Sequence, residues 1–220
     1  MHLIKFAPEP TRTGVTRIMR FAFELARSRP RKLLTVVTKS NAQRHGMVMW
    51  DEIAAEVARD FPDVTWDKML VDAMTARMTL KPGTLDTIVA TNLHADILSD
   101  LAAALTVSLG IAPTSNLNPE GKFPSMFEPI HGSAFDITGK GVANPIGAFW
   151  TGALLLDHLG EKKAAARLLS AIEAVVADKA NHCPDLGGRA TTRKVTDAVI
   201  AALKNPASTP HLQELVTSGV

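Results

Sequence analysis

Apolar patterns typical of buried strands and of amphipathic helices alternate over the first half of this chain, and this alternation limits its possible folds more than any other feature. Apolar residues at helical spacing over 14–28 predict a helix, and the run Leu33 to Val37 predicts a buried strand after it. The same pattern continues as helix 47–61, strand 64–71, helix 72–80, strand 86–91 and helix 94–109. Strands that alternate with helices indicate an α/β layer architecture.

The pattern changes near residues 104–110. Residues 110–140 are rich in loop-forming residues, with one short strand predicted around Met126 to Glu128. Further on, the spacing of apolar residues predicts three helices, over 146–159, 162–180 and 192–203, the last with Thr191 or Thr192 as its N-cap. We therefore expect two domains, residues 1–106 and residues 107–220.

Composition excludes several classes of function. The 220 residues are 46% hydrophobic and carry a formal net charge of +2, without a basic stripe interleaved with aromatic side chains, so we expect no nucleic-acid partner. The single cysteine, Cys183, excludes an internal disulfide framework and suits a reducing compartment. The longest apolar stretch, Val142 to Leu156, is too short to span a bilayer and is interrupted by a proline. We expect a cytoplasmic protein that does not interact with membranes.

Charged side chains follow the ends of three predicted strands. Lys39 follows the strand that ends at Val37, Asp72 follows the strand that ends at Val71, and Asp96 and Asp100 lie one helical turn apart after strand 86–91. Open α/β sheets bind ligands at the carboxyl ends of their strands, and carboxylates are the oxygen ligands that Mg²⁺ or Mn²⁺ prefers. A lysine beside such a site can act as a base. The alternative is a solvated helix edge with a surface lysine.

The segment from Phe127 to Pro145, with the sequence FEPIHGSAFDITGKGVANP, does not have the composition of a helix or a strand. It carries hydrogen-bonding side chains among glycines and prolines, namely Glu128, His131, Asp136 and Asn144. Such loops commonly bind ligands. The backbone N–H groups of Gly132 and Ser133 could contact a phosphate, and Asp136 could accept hydrogen bonds from a ribose without a 2′-phosphate. The histidines show no ligand spacing and are interpreted as structural or surface residues: His45, His94, His158, His182 and His211.

At these motifs the sequence resembles the β-decarboxylating dehydrogenases, the isocitrate and isopropylmalate dehydrogenase family. The similarity extends from about residue 12 to residue 203 and looks closest to the tartrate dehydrogenase/decarboxylase and D-malate dehydrogenase branch. The matching stretches are TKSN at 38–41, VDAM at 71–74, ADILSD at 95–100 and the 127–145 loop.

The resemblance implies a fold, a reaction and a set of site residues. The fold would be the α/β fold of isocitrate and isopropylmalate dehydrogenases, truncated at its N-terminus. Residues 1–106 would form the dimerisation and metal/substrate domain, and residues 107–220 the C-terminal part of the cofactor domain. The reaction would be oxidation of a malate-like 2-hydroxy acid by hydride transfer to NAD⁺, followed by decarboxylation.

The resemblance also implies which residues act and how the subunits share them. Lys39 would be the catalytic base, assisted by Asp72, and Mg²⁺ or Mn²⁺ would bind Asp72, Asp96 and Asp100. The active site would be shared across a homodimer, with the lysine and the first aspartate supplied by the neighbouring subunit. The cofactor loop would contact NAD through seven residues, namely Glu128, His131, Gly132, Ser133, Ala134, Asp136 and Asn144.

The chain departs from the family pattern at several places. It lacks about the first third of full-length members, where the family places the first cofactor-domain strands and the substrate-clamping arginines. It has no tyrosine, and Pro10 lies near the expected place of one. Position 135 is Phe where family members usually have a proline, and positions 94 and 95 are His and Ala where they usually have an aromatic residue and a glycine.

Three hypotheses follow: an enzyme of the tartrate/D-malate type, a non-catalytic dimeric relic, or an enzyme completed by a separate chain. An incomplete sheet also predicts association or reduced stability.

Overall fold

The computed structural model describes residues 11–106 and 108–204, together with the backbone of residues 2–6. The chain divides into two compact units, Met1–Leu105 and Thr106–Val220. Each unit is described separately below. The roles expected of the two parts stay predictions, and Pro10 and His211 lie outside the described residues.

Strands and helices alternate strictly in the first unit. Its elements are β1 (His2–Phe6), α1 (Arg12–Ser28), β2 (Leu33–Thr38), α2 (Gly46–Ala58), β3 (Thr65–Leu70), α3 (Val71–Leu80), β4 (Thr87–Thr91) and α4 (Asn92–Leu105). The strands form one sheet in the order β1-β4-β2-β3, and every neighbouring pair is parallel. The α/β prediction is confirmed.

The two central strands, β2 and β4, are buried on both faces because helices cover both sides of the sheet. Leu34 and Val36 of β2 pack in one apolar cluster with α1 and α2, around Phe23 and Trp50. The alternate residue Val37 packs in a second cluster with α3 and α4. Because successive side chains of a strand point to opposite faces, a continuous apolar run is what a doubly covered strand requires.

The second unit combines a short hairpin with helices. Its elements are β5 (Pro113–Asn116), β6 (Met126–Pro129), α5 (Ile146–His158), α6 (Lys162–Ala177) and α7 (Thr192–Lys204). The strands β5 and β6 pair antiparallel. Ile146, Ile172 and Val199 belong to the apolar cluster between the helices, which also buries the thiol of Cys183 and raises its pKa.

A close backbone approach fixes the start of α5. A β-carbon at Gly147 would lie 2.8 Å from the carbonyl oxygen of Gly110, which is closer than side chains tolerate. Glycine is therefore the residue that lets α5 pack against the turn at residues 109–111.

Most of the predicted elements are confirmed, and the differences have local causes. The predicted helix 162–180 ends at Ala177, because the side chain of Asp178 accepts from the N–H of Ala180 and begins a separate turn. Thr191 is the confirmed cap of α7, since its hydroxyl oxygen accepts from the N–H of Lys194 at 3.2 Å. The strands β1 and β5 were not predicted. Within the described residues, no helix combines the length and apolarity needed to cross a membrane.

An ion pair connects the end of α1 to the residue before β4. The Arg29 guanidinium lies 2.6 Å from the Asp86 carboxylate, whose side chain is only 5% exposed. This hydrogen bond holds the pKa of Asp86 below its ordinary value. The pair therefore contributes fully above pH ~4, and its contribution is lost as the pH falls through the lower, folded-state pKa.

We predict that Arg29→Met lowers the free energy of unfolding at pH 7 by about 3 kcal/mol, because it leaves a buried carboxylate without its partner. The difference from the unaltered protein should shrink as the pH falls below ~4. Urea denaturation across this pH range measures both effects. The control is Arg193→Met, which removes an exposed ion pair with Asp197. Equal losses in the two variants would contradict the prediction.

Candidate functional site

Lys39 and Asp72 meet at the carboxyl edge of the parallel sheet. Thr38 and Leu70, the last residues of β2 and β3, are paired partners, so the residues that follow them begin side by side. The Lys39 Nζ lies 2.6 Å from Asp72 Oδ1 and donates a hydrogen bond to it. This bond, followed by one from the backbone N–H of Asp72 itself, lowers the pKa of that carboxyl. The predicted base and the predicted first aspartate are thus brought together in one chain.

Asp96 and Asp100 lie on the exposed surface of α4, the helix that follows the central strand β4. The opposite face of α4 is buried through Ala95 and Leu98. Because residues four apart share one side of a helix, the two carboxylates line the same exposed strip.

The predicted ligand set is not complete within one chain. Over residues 11–106 and 108–204, no three histidine, cysteine, aspartate or glutamate side chains are gathered closely enough to hold a metal ion. The three aspartates divide into Asp72, paired with Lys39, and the two on α4. This division is compatible with ligands that come from two subunits, and the metal site stays a prediction.

His94 is a buried histidine on α4 with an unpaired ring nitrogen. Its side chain is 5% exposed, and Nδ1 has no hydrogen-bond partner among the described residues. Burial lowers the pKa of His94, and the positive charge of Lys39 lowers it further. His94 is therefore buried, which is compatible with its interpretation as structural, and that interpretation stays a prediction; its unpaired nitrogen was not predictable from histidine spacing.

The predicted cofactor loop begins at the hairpin and is open to solvent. Thr114 pairs with Glu128 across β5 and β6, and all of residues 131–136 are exposed. Ala134 adopts the left-handed conformation, at φ 44° and ψ 59°, and a single 3₁₀ turn from Phe135 to Ile137 follows it. A left-handed conformation is disfavoured for a residue with a β-carbon, and such strain occurs preferentially at functional sites.

The other end of the loop is fixed by Asp185, which sequence reasoning missed. Its Oδ2 accepts from the Ser108 hydroxyl and, at 3.0 Å, from the side-chain amide of Asn144. The Asn144 Oδ1 in turn accepts from the N–H of Ile146, at the start of α5. Asn144 is thus bound within its own unit, while the other predicted cofactor residues lie in the exposed part of the loop. No sequence motif indicated Asp185, since its partners come from distant segments.

Comparison with known proteins identifies the family of this chain. The family model described as isocitrate/isopropylmalate dehydrogenase matches residues 9–199. The chain belongs to the isocitrate/isopropylmalate dehydrogenase family.

Two relatives and one solved structure show how much of the length of related proteins this chain covers. It is 76% identical to a probable tartrate dehydrogenase/decarboxylase of Agrobacterium vitis over 193 residues, which are 88% of this chain and 53% of that protein. It is 51% identical over 194 residues to a D-malate dehydrogenase [decarboxylating] of Escherichia coli, covering 86% of this chain and 54% of that protein. An isocitrate dehydrogenase from Methylococcus capsulatus superposes with a TM-score of 0.84 and 38% identity, covering 90% of this chain and 58% of that one. This family member thus spans about half the length of the relatives it matches.

We predict that His94→Phe raises the free energy of unfolding by about 1 kcal/mol, because it replaces an unpaired buried polar group with an apolar ring. The matched control is His182→Phe, since His182 Nε2 is hydrogen-bonded to the Val176 carbonyl at 2.8 Å. That variant should lower the stability instead. Denaturant unfolding of both variants tests the prediction, and a clear loss for His94→Phe would contradict it.

Proposed function

We propose that the protein acts in the NAD- and divalent-metal-dependent oxidation and decarboxylation of a malate-like 2-hydroxy acid, of the tartrate or D-malate type. The observation that carries the proposal is the Lys39–Asp72 pair, 2.6 Å apart at the carboxyl edge of the sheet, in a chain of this family. The names of the relatives support the tartrate or D-malate type of substrate.

Lys39 is the proposed base. In its neutral form, its Nζ would take the proton of the substrate 2-hydroxyl group, and the adjacent Asp72 carboxylate would stabilise the resulting ammonium ion. Asp72, at the first turn of α3, is held ionised by this same contact, because its pKa is lowered. The two residues would therefore supply proton transfer and charge compensation together, at the carboxyl edge of the sheet.

The donor set suits Mg²⁺ or Mn²⁺, since Asp72, Asp96 and Asp100 all offer hard carboxylate oxygens on exposed surfaces. When bound, the metal would polarise the carbonyl oxygen formed by oxidation and stabilise negative charge during decarboxylation. Asp96 and Asp100 would hold it from one subunit, and Asp72 from the neighbouring one.

The exposed loop is the proposed contact for NAD, the hydride acceptor. Asp136, in the first turn after Ala134, would accept hydrogen bonds from the adenosine ribose hydroxyls, and its charge would disfavour a 2′-phosphate. The backbone N–H groups of Gly132 and Ser133 would face a phosphate. Glu128, His131 and Asn144 would complete the contact.

A homodimer with shared active sites is part of the proposal. It is supported by exposed apolar side chains on α4 between the two aspartates and next to them: Leu93 is 63% exposed and Ile97 is 53% exposed. Burying such side chains in an interface is favourable, and that interface would bring carboxylates of two subunits together.

We predict that Ile97→Lys shifts the protein from dimer to monomer, because a charged side chain in an apolar interface is desolvated without a partner. Light scattering coupled to size exclusion measures the mass. The control is Leu80→Lys, at a side chain that is 77% exposed at the end of α3. A monomeric unaltered protein, or a dimer that survives Ile97→Lys, would count against this interface.

A second candidate is a non-catalytic dimeric protein that retains the metal and NAD half-sites. The observation in its favour is that, over residues 11–106 and 108–204, no three candidate metal ligands are gathered closely enough to hold an ion. A third possibility is an enzyme in which a separate polypeptide supplies the N-terminal region that this sequence does not match.

We predict Mn²⁺-dependent NADH formation with D-malate, L-tartrate or 3-isopropylmalate, measured by absorbance. Asp96→Asn should lower the rate at least about tenfold, because it weakens metal binding. The control is Asp197→Asn, an exposed carboxylate on α7. Intact Mn²⁺ binding without turnover would reject the enzyme in favour of the non-catalytic protein. Turnover that appears only after addition of a polypeptide corresponding to the region of the relatives that this chain does not match would identify the third possibility.

A further inference from the structure

Phe135 is an aromatic side chain that the structure exposes almost completely. At 86% exposure it is the most exposed large hydrophobic side chain among the described residues. It lies in the 127–145 loop. Isolated exposed apolar residues are common, so its exposure alone indicates nothing.

Phe135 lies on an ordered turn of the backbone. Ala134, directly before it, is in the disfavoured left-handed conformation. The 3₁₀ turn that follows is closed by hydrogen bonds from the Ile137 N–H to the Ala134 carbonyl at 3.0 Å and from the Thr138 N–H to the Phe135 carbonyl at 3.3 Å. Phe135 is therefore presented on an ordered turn, and an aromatic side chain loses little further freedom when it binds a ligand.

The residue next to Phe135 is Asp136, the proposed acceptor for ribose hydroxyls. In a 3₁₀ helix, which has about three residues per turn, consecutive side chains project about 120° apart. The turn therefore carries a flat apolar ring and a carboxylate on consecutive residues, which project to different sides of one short turn. A nucleoside has the matching chemistry, since a flat base is bonded directly to a ribose that carries hydroxyl groups.

We infer that Phe135 is a stacking platform for the adenine base of the dinucleotide, with Asp136 on the attached ribose. This inference rests on the proposed function, because it assigns a further residue of the same NAD site. Aromatic side chains bind bases through their π-faces, and this interaction needs no hydrogen bond from the ring.

The surroundings of Phe135 favour a base over a protein partner. Its exposed neighbours along the chain are polar or small, namely His131, Gly132, Ser133, Ala134 and Asp136. A protein interface requires a contiguous surface of many residues, with apolar side chains at its centre. The single aromatic ring of Phe135, with polar or small residues on both sides in the chain, offers enough apolar surface for one base but not for a protein interface.

The test measures binding of three ligands to the full chain by titration calorimetry: NADH, ADP-ribose and nicotinamide mononucleotide. Phe135→Leu keeps an apolar side chain but removes the aromatic face, and Phe135→Trp enlarges that face. The matched control is Phe123→Leu, at another exposed phenylalanine, 71% exposed and outside the loop. Thermal melting of each variant checks that the fold is retained.

We predict that Phe135→Leu weakens NADH and ADP-ribose binding by about fivefold or more, whereas Phe135→Trp and Phe123→Leu bind both ligands as the unaltered protein does or more tightly. Nicotinamide mononucleotide, which lacks adenine, should be unaffected by Phe135→Leu.

The outcomes separate this inference from the proposed function. NADH binding that is equal in the unaltered protein and in Phe135→Leu overturns the stacking platform and leaves the NAD site standing. A loss of nicotinamide mononucleotide binding equal to the loss of ADP-ribose binding overturns the assignment to adenine. An unaltered protein that binds neither NADH nor ADP-ribose overturns both the proposed NAD site and the stacking platform.

Discussion

Parallel pairing of β2 with its two neighbours is the constraint on which the first unit depends. Both faces of β2 and β4 are covered by helices, so their backbone hydrogen bonds can be satisfied only within the sheet. Parallel strands end at one common edge. The chain therefore delivers Lys39, Asp72 and the start of α4 to the same edge, without any direct sequence proximity between them.

This is also why so much of the first unit could be predicted from sequence. Periodicity identified the apolar strands and helices, and the rule that open α/β sheets bind ligands at the carboxyl ends of their strands indicated Lys39 and Asp72 as site residues. Strand β1 was missed because pairing with β4, rather than its own short sequence, makes it a strand. Strand β5 was missed for a similar reason, since Pro113–Asn116 is extended through its pairing with β6.

The parts of the site that sequence did not predict depend on tertiary contacts. Asp185 could not be connected with Asn144 or Ser108, because their hydrogen bonds span 41 and 77 residues along the chain. The unpaired nitrogen of His94 is likewise a property of what packs around α4. In the 127–145 segment, the polar loop was predicted from composition, whereas the left-handed conformation of Ala134 was not.

The contact between Lys39 and Asp72 within one chain determines which pairs of mutant alleles could complement each other. Both residues belong to one chain, whereas Asp96 and Asp100 would serve the site completed by the other chain of the proposed dimer. Two defective alleles could then restore activity together only when one is altered in the Lys39–Asp72 pair and the other in the pair of aspartates on α4. A chain altered at Lys39 mixed with one altered at Asp96 would form one intact site out of two, while alleles altered at Lys39 and at Asp72 would form none.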